Sequence, residues 1–255
     1  MSQIALITGA TSGIGEACAN LFAKNKFNLI LTGRRTERLD QLAHQLKENF
    51  DIDVQTLVFD VQDKQRVEEN LKSLALSWQD IDVLINNAGL SLGLEPIDQG
   101  DPNDWDIMID TNIKGLLYVT KIVSGWMVKR RKGHIINLGS IAGKETYANG
   151  NVYCATKHAV DSLNKAMRID LLQYGVKVTG IHPGAVETEF SEVRFKGDLA
   201  RAKKVYEGFE ALSAGDIAET IWFAVSRPAH VNINDLVIMP AAQANSVHLF
   251  KREKK

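Results

Sequence analysis

The feature that most constrains the fold of this chain is the regular alternation of short apolar runs with longer helical patterns. Seven runs of six to eight residues are rich in Ile, Val and Leu, and they occupy positions 3–8, 27–32, 54–59, 81–86, 133–139, 176–183 and 235–240. Such runs are typical of buried strands. Because a helix follows nearly every run, the strands must run parallel, with helices on both faces of the sheet. We therefore predict an α/β fold with a doubly wound, seven-stranded parallel sheet.

The helical patterns between these runs complete the predicted layout. Helices are expected from about Ile14, from Thr36, from Asp63 and from Gly215, with one long helix ending near Lys132 and another carrying Tyr153 and Lys157. No linker or repeat divides the chain, so we predict a single domain spanning 1–255. Right-handed crossovers bring the carboxyl ends of the strands to one edge of the sheet, where ligands bind. The segment 185–214 is longer than a common connection, which favours a substrate loop.

A glycine-rich turn joins the first run to the first helix. The sequence TGATSGIGEA (8–17) places Gly9, Gly13 and Gly15 where the pyrophosphate of a dinucleotide meets a helix N-terminus. The spacing is G-x-x-x-G-x-G rather than the commoner G-x-G-x-x-G, and a tight turn without a ligand is the alternative. The position between a strand and a helix of an alternating chain favours a Rossmann-like cofactor site. The predicted site also includes Thr11, Ser12 and Ile14.

The residues after the second strand bear on the choice between NAD and NADP. An acidic side chain at this point would hold the adenosine ribose 2′-hydroxyl, but the sequence LTGRRTERL has Arg34 and Arg35 instead. Their guanidinium groups suit a 2′-phosphate, so we predict NADP. Two solvated loop arginines are the alternative. The rest of the predicted cofactor site lies after the third and fourth strands, at Asp60 and Val61 beside the adenine and at Asn87, Ala88 and Gly89 beside the ribose.

A tyrosine and a lysine stand four residues apart in NVYCATKHAV (151–160). On a helix, Tyr153 and Lys157 lie on the same face, so the ammonium reaches the neighbourhood of the phenol. A phenol titrates near pH ~10, and a nearby ammonium and an oxidised nicotinamide ring both lower its pKa toward neutrality. The pair then suits proton exchange with a hydroxyl or a carbonyl. A surface pair without chemistry is the alternative, because exposed helices carry this spacing by chance.

Taken together, these motifs resemble the short-chain dehydrogenase/reductase family over nearly the whole chain. The resemblance rests on TGATSGIG (8–15), NNAG (86–89), Asn112 in DTNIKG, Ser140 in NLGS, YCATK (153–157) and PGAVET (183–188). It implies a catalytic tetrad of Asn112, Ser140, Tyr153 and Lys157, and it also implies a homotetramer.

The resemblance gives each residue of this set a role. Ser140 would hydrogen-bond the substrate oxygen that exchanges a proton with Tyr153, and Lys157 would also hold the nicotinamide ribose. Asn112 would position a water leading from the lysine to solvent, although a helix kink is a structural alternative. The nicotinamide carboxamide would rest on Pro183, Gly184 and Thr188, with Val186 in the same cofactor site. A helix cap is the alternative role for Thr188.

A narrower resemblance points to the NADP-dependent 3-hydroxy acid dehydrogenase branch of the family. It rests on NNAGLSLGLEP (86–96), EVRFKGD (192–198) and PAHVNIN (228–234). Members of that branch act on serine, L-allo-threonine and other 3-hydroxy acids, or reduce semialdehydes such as malonic semialdehyde. Arg194 and Lys196 in the predicted substrate loop would supply a cation for the substrate carboxylate. A solvated basic loop explains the same charges.

Composition excludes several other classes of function. The formal net charge of -1 gives no general attraction to nucleic acid or to an anionic membrane, and a small-molecule partner is expected. Cys18 and Cys154 cannot form a disulfide framework, and we expect no metal and a cytoplasmic location.

Two rival functions stay open: reduction of another carbonyl, such as a 3-oxoacyl thioester or a small ketone, and a redox sensor that binds NADP without turnover.

Overall fold

The computed structural model describes residues 2–252, and its strands form one sheet. The strands are β1 (Ile4–Thr8), β2 (Asn28–Gly33), β3 (Val54–Val58), β4 (Val83–Asn86), β5 (Gly133–Leu138), β6 (Val176–Pro183) and β7 (Asp235–Ile238). They pair in the order β3-β2-β1-β4-β5-β6-β7, and every pair is parallel. Each strand overlaps one of the apolar runs, which confirms the predicted seven-stranded α/β fold.

The helices alternate with these strands. Over residues 2–252 the α-helices are α1 (Gly13–Lys24), α2 (Thr36–Phe50), α3 (Lys64–Lys72), α4 (Pro102–Ile109), α5 (Leu116–Arg130), α6 (Asn151–Leu171), α7 (Phe190–Arg194), α8 (Leu199–Val205) and α9 (Ala214–Val225). The predicted starts agree with these bounds to about a residue. The segment 185–214 is more ordered than a plain loop, because it contains α7 and α8; we keep the name substrate loop for it.

Two side chains show how the sequence fixes helix starts. Asp63 precedes α3, and its carboxylate accepts a hydrogen bond of 3.0 Å from the backbone N–H of Arg66. Ser213 precedes α9 and forms a capping box with Asp216, in which each side chain accepts from the other's backbone N–H. Such caps satisfy N–H groups that have no partner within the helix, so they mark helix boundaries in the sequence.

The sheet is buried on both faces because its strands alternate between two apolar layers. In β1, Ala5 and Ile7 belong to the layer that also contains Phe22 of α1, whereas Leu6 belongs to the layer that contains Val123 of α5. Each fully buried side chain of this kind stabilises the fold by about 1.5–3 kcal/mol. The carboxyl ends of the strands therefore form a rigid edge.

The helical segment between β4 and β5 contains one turn that is not α-helical. Between α4 and α5, residues Asp110–Gly115 form a π-helical turn that contains Asn112. Such turns often occur at functional sites. Within residues 2–252, none of the helices combines the length and the apolar character that crossing a membrane requires.

Candidate active site

A cleft of about 340 Å³ runs along the carboxyl edge of the sheet. Its walls contain most of the predicted site residues: Gly9, Thr11, Ser12, Gly13, Ile14, Arg34, Arg35, Asp60, Val61, Asn87, Ala88, Gly89, Ser140, Tyr153, Lys157, Pro183, Gly184, Val186 and Thr188. Gly15, Asn112, Arg194 and Lys196 do not line it. The substrate loop adds Glu189, Phe190 and Val193 to the lining, and the motifs did not single these residues out.

The glycines of the first turn each meet a steric requirement. Gly9 and Gly13 have φ angles of 66° and 54°, which side chains other than glycine rarely adopt. A Cβ atom at Gly15 would lie 2.3 Å from the carbonyl oxygen of Gly9. Asn87 also supports this turn, because its side-chain amide donates to the carbonyl oxygens of Thr8 and Gly9 at 2.9 and 3.1 Å. The turn therefore leaves a shallow backbone cradle at the start of α1.

The two arginines that follow β2 have different surroundings in the structure. Arg34 is 62% exposed, and its guanidinium lies 3.3 Å from the carboxylate of Asp60. Arg35 instead folds over the glycine turn, donating to Thr11 Oγ1 at 2.9 Å and to Ser12 Oγ at 2.8 Å. Arg35 also donates to Glu189 Oε2 at 2.9 Å. Arg34 is thus the more available of the two cations, and Arg35 connects the turn to the substrate loop.

Tight packing fixes Ser140 against the helix that carries Tyr153 and Lys157. Ser140 precedes a short 3-10 turn, Ile141–Gly143, and its Oγ accepts from the N–H of Ala142 at 3.1 Å. A Cβ atom at Gly143 would lie 2.5 Å from the carbonyl oxygen of Lys157, so this turn contacts α6 backbone to backbone. The Lys157 ammonium donates to the carbonyl oxygen of Leu138 at 2.8 Å and lies 6.0 Å from the centre of the Tyr153 ring.

Burial dominates the protonation of this pair. It raises the pKa of Tyr153 well above 10, an effect to which Tyr147 adds and which the Ser140 hydrogen bond and Arg194 partly oppose. Burial also lowers the pKa of Lys157 from 10.5 to about 8. Among the protein groups, desolvation therefore outweighs the nearby charges. The lowering of the phenol pKa toward neutrality, which also counts on an oxidised nicotinamide ring, stays a prediction. The phenol is protonated at neutral pH.

Asn112 is held by the protein on both ends of its amide. Its Oδ1 accepts from the N–H of Leu90 at 2.8 Å, and its Nδ2 donates to the carbonyl oxygen of Leu90 at 2.8 Å and to Thr156 Oγ1 at 3.0 Å. The residue lies in the π-helical turn between α4 and α5. These bonds tie the chain after β4 to α6, and the water-positioning role of Asn112 stays a prediction.

Of the two predicted substrate cations, only Arg194 lies beside Tyr153. Its Cζ is 5.7 Å from the centre of the Tyr153 ring, and its Nη2 donates to the hydroxyl of Tyr147 at 3.0 Å. Its Nε donates to the carbonyl oxygen of Gly93 at 3.2 Å. The Lys196 ammonium instead lies 2.9 Å from the Asp104 carboxylate. This ion pair directs Lys196 away from the cleft, so its position does not support the predicted substrate contact.

A cluster of charged and polar side chains surrounds Asp161, which lies one helical turn after Lys157 in α6. Asp161, His182 and Asp235 offer ligand atoms within 4.8 Å of one another. The Lys144 ammonium lies 2.7 Å from Asp161 Oδ1 and 3.5 Å from Asp235 Oδ1, so a side chain already brings a positive charge to these carboxylates. This cluster braces the segment after Ser140 against α6. The expectation of no metal stays a prediction.

The fold and this site define a dinucleotide-dependent oxidoreductase, and comparison with known proteins gives the family. A family model for short chain dehydrogenases matches residues 3–198, and the chain belongs to that family. NADP-dependent 3-hydroxy acid dehydrogenase YdfG of Salmonella typhi is 51% identical over 243 residues, which cover 95% of this chain and 96% of that protein. Sulfoacetaldehyde reductase 2 of Chromohalobacter salexigens is 44% identical, with 99% and 100% covered.

A solved structure agrees with these relatives. The closed form of a serine dehydrogenase complexed with NADP⁺ superposes with a TM-score of 0.91 at 46% identity, covering 98% of this chain and 100% of the other. The family predicted from the motifs is therefore confirmed, and proteins of the predicted branch are among its similar relatives.

Proposed function

We propose that this protein transfers a hydride between NADP(H) and the 3-hydroxyl or 3-carbonyl of small 3-hydroxy acids. Serine, L-allo-threonine and the pair of 3-hydroxypropionate and malonic semialdehyde are the proposed substrate types. One observation carries the substrate class: the Arg194 guanidinium lies 5.7 Å from the Tyr153 ring, inside the substrate loop. A cation at that distance from the proton donor selects a substrate with an anionic group close to its reacting carbon.

The residues of the cleft fit NADP. Gly9 and Gly13 line the cleft at the start of α1, where a Cβ atom would lie 3.0 Å from Ala88 and 3.2 Å from Thr188, so glycine leaves the backbone there open to a pyrophosphate. Arg34 presents an exposed guanidinium for the 2′-phosphate, and Arg35 borders the same place. Pro183, Gly184 and Thr188 are proposed to hold the carboxamide end. When bound, the cofactor supplies or accepts the hydride.

The proposed proton chemistry uses Ser140, which follows β5, and Tyr153 and Lys157 of α6. The protonated phenol of Tyr153 donates a proton to the substrate carbonyl oxygen in reduction and takes it back in oxidation. Ser140, which hydrogen-bonds Tyr153, stabilises the same oxygen as negative charge develops. Burial lowers the pKa of Lys157 to about 8, so its ammonium gives up a proton more readily than a solvated lysine does. The Leu138 carbonyl holds its ammonium in place.

Arg194 is fixed in an orientation suited to an anion. Its hydrogen bonds to Gly93 and to the Tyr147 hydroxyl use part of the guanidinium fork and restrict its rotation. The Tyr147 hydroxyl accepts a hydrogen bond from Arg194, so its own proton is left to donate to the same anion. A preorganised guanidinium loses less entropy on binding, and a carboxylate accepts two parallel hydrogen bonds from it.

One observation favours a related substrate. The 44% identity to a sulfoacetaldehyde reductase makes a small sulfonate aldehyde a second candidate, because a sulfonate meets Arg194 as a carboxylate does. A 3-oxoacyl thioester or small ketone, and a non-catalytic NADP-binding sensor, are less favoured because neither needs the cation beside Tyr153. A homotetramer and a cytoplasmic location complete the proposal and rest on the family resemblance and on composition.

The test removes the cation and compares acidic with neutral substrates. Arg194→Ala should lower kcat/KM for 3-hydroxypropionate roughly 30- to 900-fold. This factor corresponds to a loss of about 2–4 kcal/mol of transition-state stabilisation. It should change kcat/KM for a neutral hydroxy ester far less. NADPH absorbance gives both values, and a panel with serine, L-allo-threonine, malonic semialdehyde, sulfoacetaldehyde and acetoacetyl thioesters ranks the substrates.

Two further variants complete this experiment. Arg201→Ala is the matched control, because Arg201 is in the same loop but stacks on Phe195, with its Cζ 4.3 Å from the ring centre. Lys196→Ala should resemble the control, since Lys196 pairs with Asp104. Equal losses on the acid and on the ester in Arg194→Ala would remove the support for an acid-specific enzyme.

A further inference from the structure

The carboxylate of Glu189 bridges two arginines that lie far from it in the sequence. Its Oε2 accepts from Arg35 Nη1 at 2.9 Å, and its Oε1 accepts from Arg38 Nη1 at 2.7 Å. Both arginines are at the start of α2, on the side of the cleft where the adenosine end of the cofactor is proposed to bind. The bridge therefore links that side to the beginning of the substrate loop.

Glu189 is well placed to control the substrate end of the loop. It follows Thr188 and directly precedes α7, the five-residue helix that begins at Phe190 and ends at Arg194. The Phe190 ring lies 5.6 Å from the Tyr153 ring. Because α7 is a single short turn, a shift of Glu189 moves Phe190 and Arg194 with it. The bridge through Glu189 is therefore connected to the proposed anion site at Arg194 by one short helix. Arg38 itself is not part of the cleft lining.

The strength of the bridge comes from the sharing of one carboxylate. The three side chains are 39% to 50% exposed, and an isolated surface pair contributes little. Two guanidiniums on one carboxylate form a network, which holds better than a single pair. Burial raises the pKa of Glu189, but hydrogen bonds and charges from Arg38 and Arg35 outweigh it and lower the pKa to about 2. The bridge is therefore ionised throughout the pH range in which the enzyme would work.

We infer that Glu189 is a positioning residue that anchors the substrate loop to Arg35 and Arg38, so that Arg194 stands beside Tyr153. This inference rests on the proposed function, because it explains how the anion site is held in place. Its consequence is that Arg38 influences the affinity for an anionic substrate that it never touches.

The test uses Glu189→Gln and Arg38→Ala, with Glu192→Gln as the matched control. Glu192 is an exposed acid on α7, so its change removes the same charge from the same helix without touching the bridge. Each bridge variant should raise KM for 3-hydroxypropionate about threefold to tenfold, with kcat within about twofold. The double variant should be no worse than Glu189→Gln alone, because Glu189→Gln already weakens the contact that Arg38→Ala removes.

Two further readouts separate positioning from general damage. NADPH affinity should stay the same or tighten in Glu189→Gln, because the change removes a negative charge beside the proposed 2′-phosphate site, whereas a damaged fold would bind NADPH more weakly. Hydrogen exchange of peptides covering 186–196 should be faster in Glu189→Gln than in Glu192→Gln. This second readout does not depend on the substrate.

The outcomes distinguish this inference from the proposed function. An acid-specific loss in Arg194→Ala together with unchanged KM in both bridge variants would overturn the inference and leave the function standing. Additive effects of the two bridge variants would also overturn it, because independent sites would then be responsible. Without an acid-specific loss in Arg194→Ala the function fails, and the exchange rates decide alone: faster exchange supports the anchor, and unchanged exchange rejects it.

Discussion

The candidate catalytic centre and the substrate loop are held in place by different kinds of interaction. Lys157 and Asn112 are buried and bonded to main-chain groups of Leu138 and Leu90. The substrate loop also makes main-chain bonds, such as Gly93 N–H to the carbonyl oxygen of Arg194, but its links to α2 and α4 are the side-chain pairs of Glu189 with Arg38 and of Lys196 with Asp104. A backbone N–H or carbonyl group remains when the residue that carries it is replaced, whereas one substitution removes a side-chain pair. A single substitution should therefore disturb the position of the substrate loop more easily than that of Lys157 or Asn112.

The largest expected effect lies in the buried region. Tyr153→Phe should lower turnover about 10²–10⁴-fold while NADPH binding stays close to wild type, because the ring still packs but has no proton to transfer. Steady-state rates and NADPH titration measure the two quantities. Turnover above about a tenth of the wild-type value would show that another group carries the proton. Unlike Arg194→Ala, this variant should lose acidic and neutral substrates by the same factor.

The second effect tests the cost of burying Lys157. Between pH 8 and 10.5 the folded state has released the Lys157 proton while the unfolded chain still binds it, so the stability of the wild type rises in this range. Relative to Lys157→Met, the wild type should gain on the order of 2–3 kcal/mol from pH 7 to 10.5. Urea unfolding of both proteins across this range gives the difference, and the subtraction cancels other titrating groups. A constant difference would mean that Lys157 is not desolvated.

The smallest expected effect concerns the preference for NADP over NAD, which we assign to Arg34 and Arg35 after β2. Replacing Arg34 and Arg35 together by alanine should shift the preference for NADP over NAD by roughly tenfold or more, because a hydrogen bond to a charged group contributes about 1.5–3 kcal/mol. Arg34→Ala alone should account for most of this shift, since Arg35 already bonds Thr11, Ser12 and Glu189. The ratio of kcat/KM values measures it, with exposed Arg66→Ala on α3 as control. An unchanged ratio would mean that both arginines only stabilise the loop.

Much of the fold and part of the candidate site follow from local sequence patterns. The apolar runs predicted every strand, because burial on both faces of a parallel sheet requires continuous apolar residues. The glycine turn was predictable because positive φ angles and a close backbone approach exclude side chains at Gly9 and Gly15. The four-residue spacing placed Tyr153 and Lys157 on one turn of α6, since helical geometry alone determines that neighbourhood.

Other properties depend on residues that only the folded chain brings together. Glu189 meets Arg35 across 154 positions, and Lys196 meets Asp104 rather than the cleft. The pKa of Tyr153 has the opposite direction from the one that its neighbour in sequence suggested, because desolvation depends on every element packed around the phenol. By itself, the sequence determined the parallel sheet, the glycine turn and the neighbourhood of Tyr153 and Lys157, since these depend on short-range geometry and periodicity. Only the tertiary structure decided which cation faces the phenol and what holds the substrate loop, because charge pairing and burial are set by distances in space.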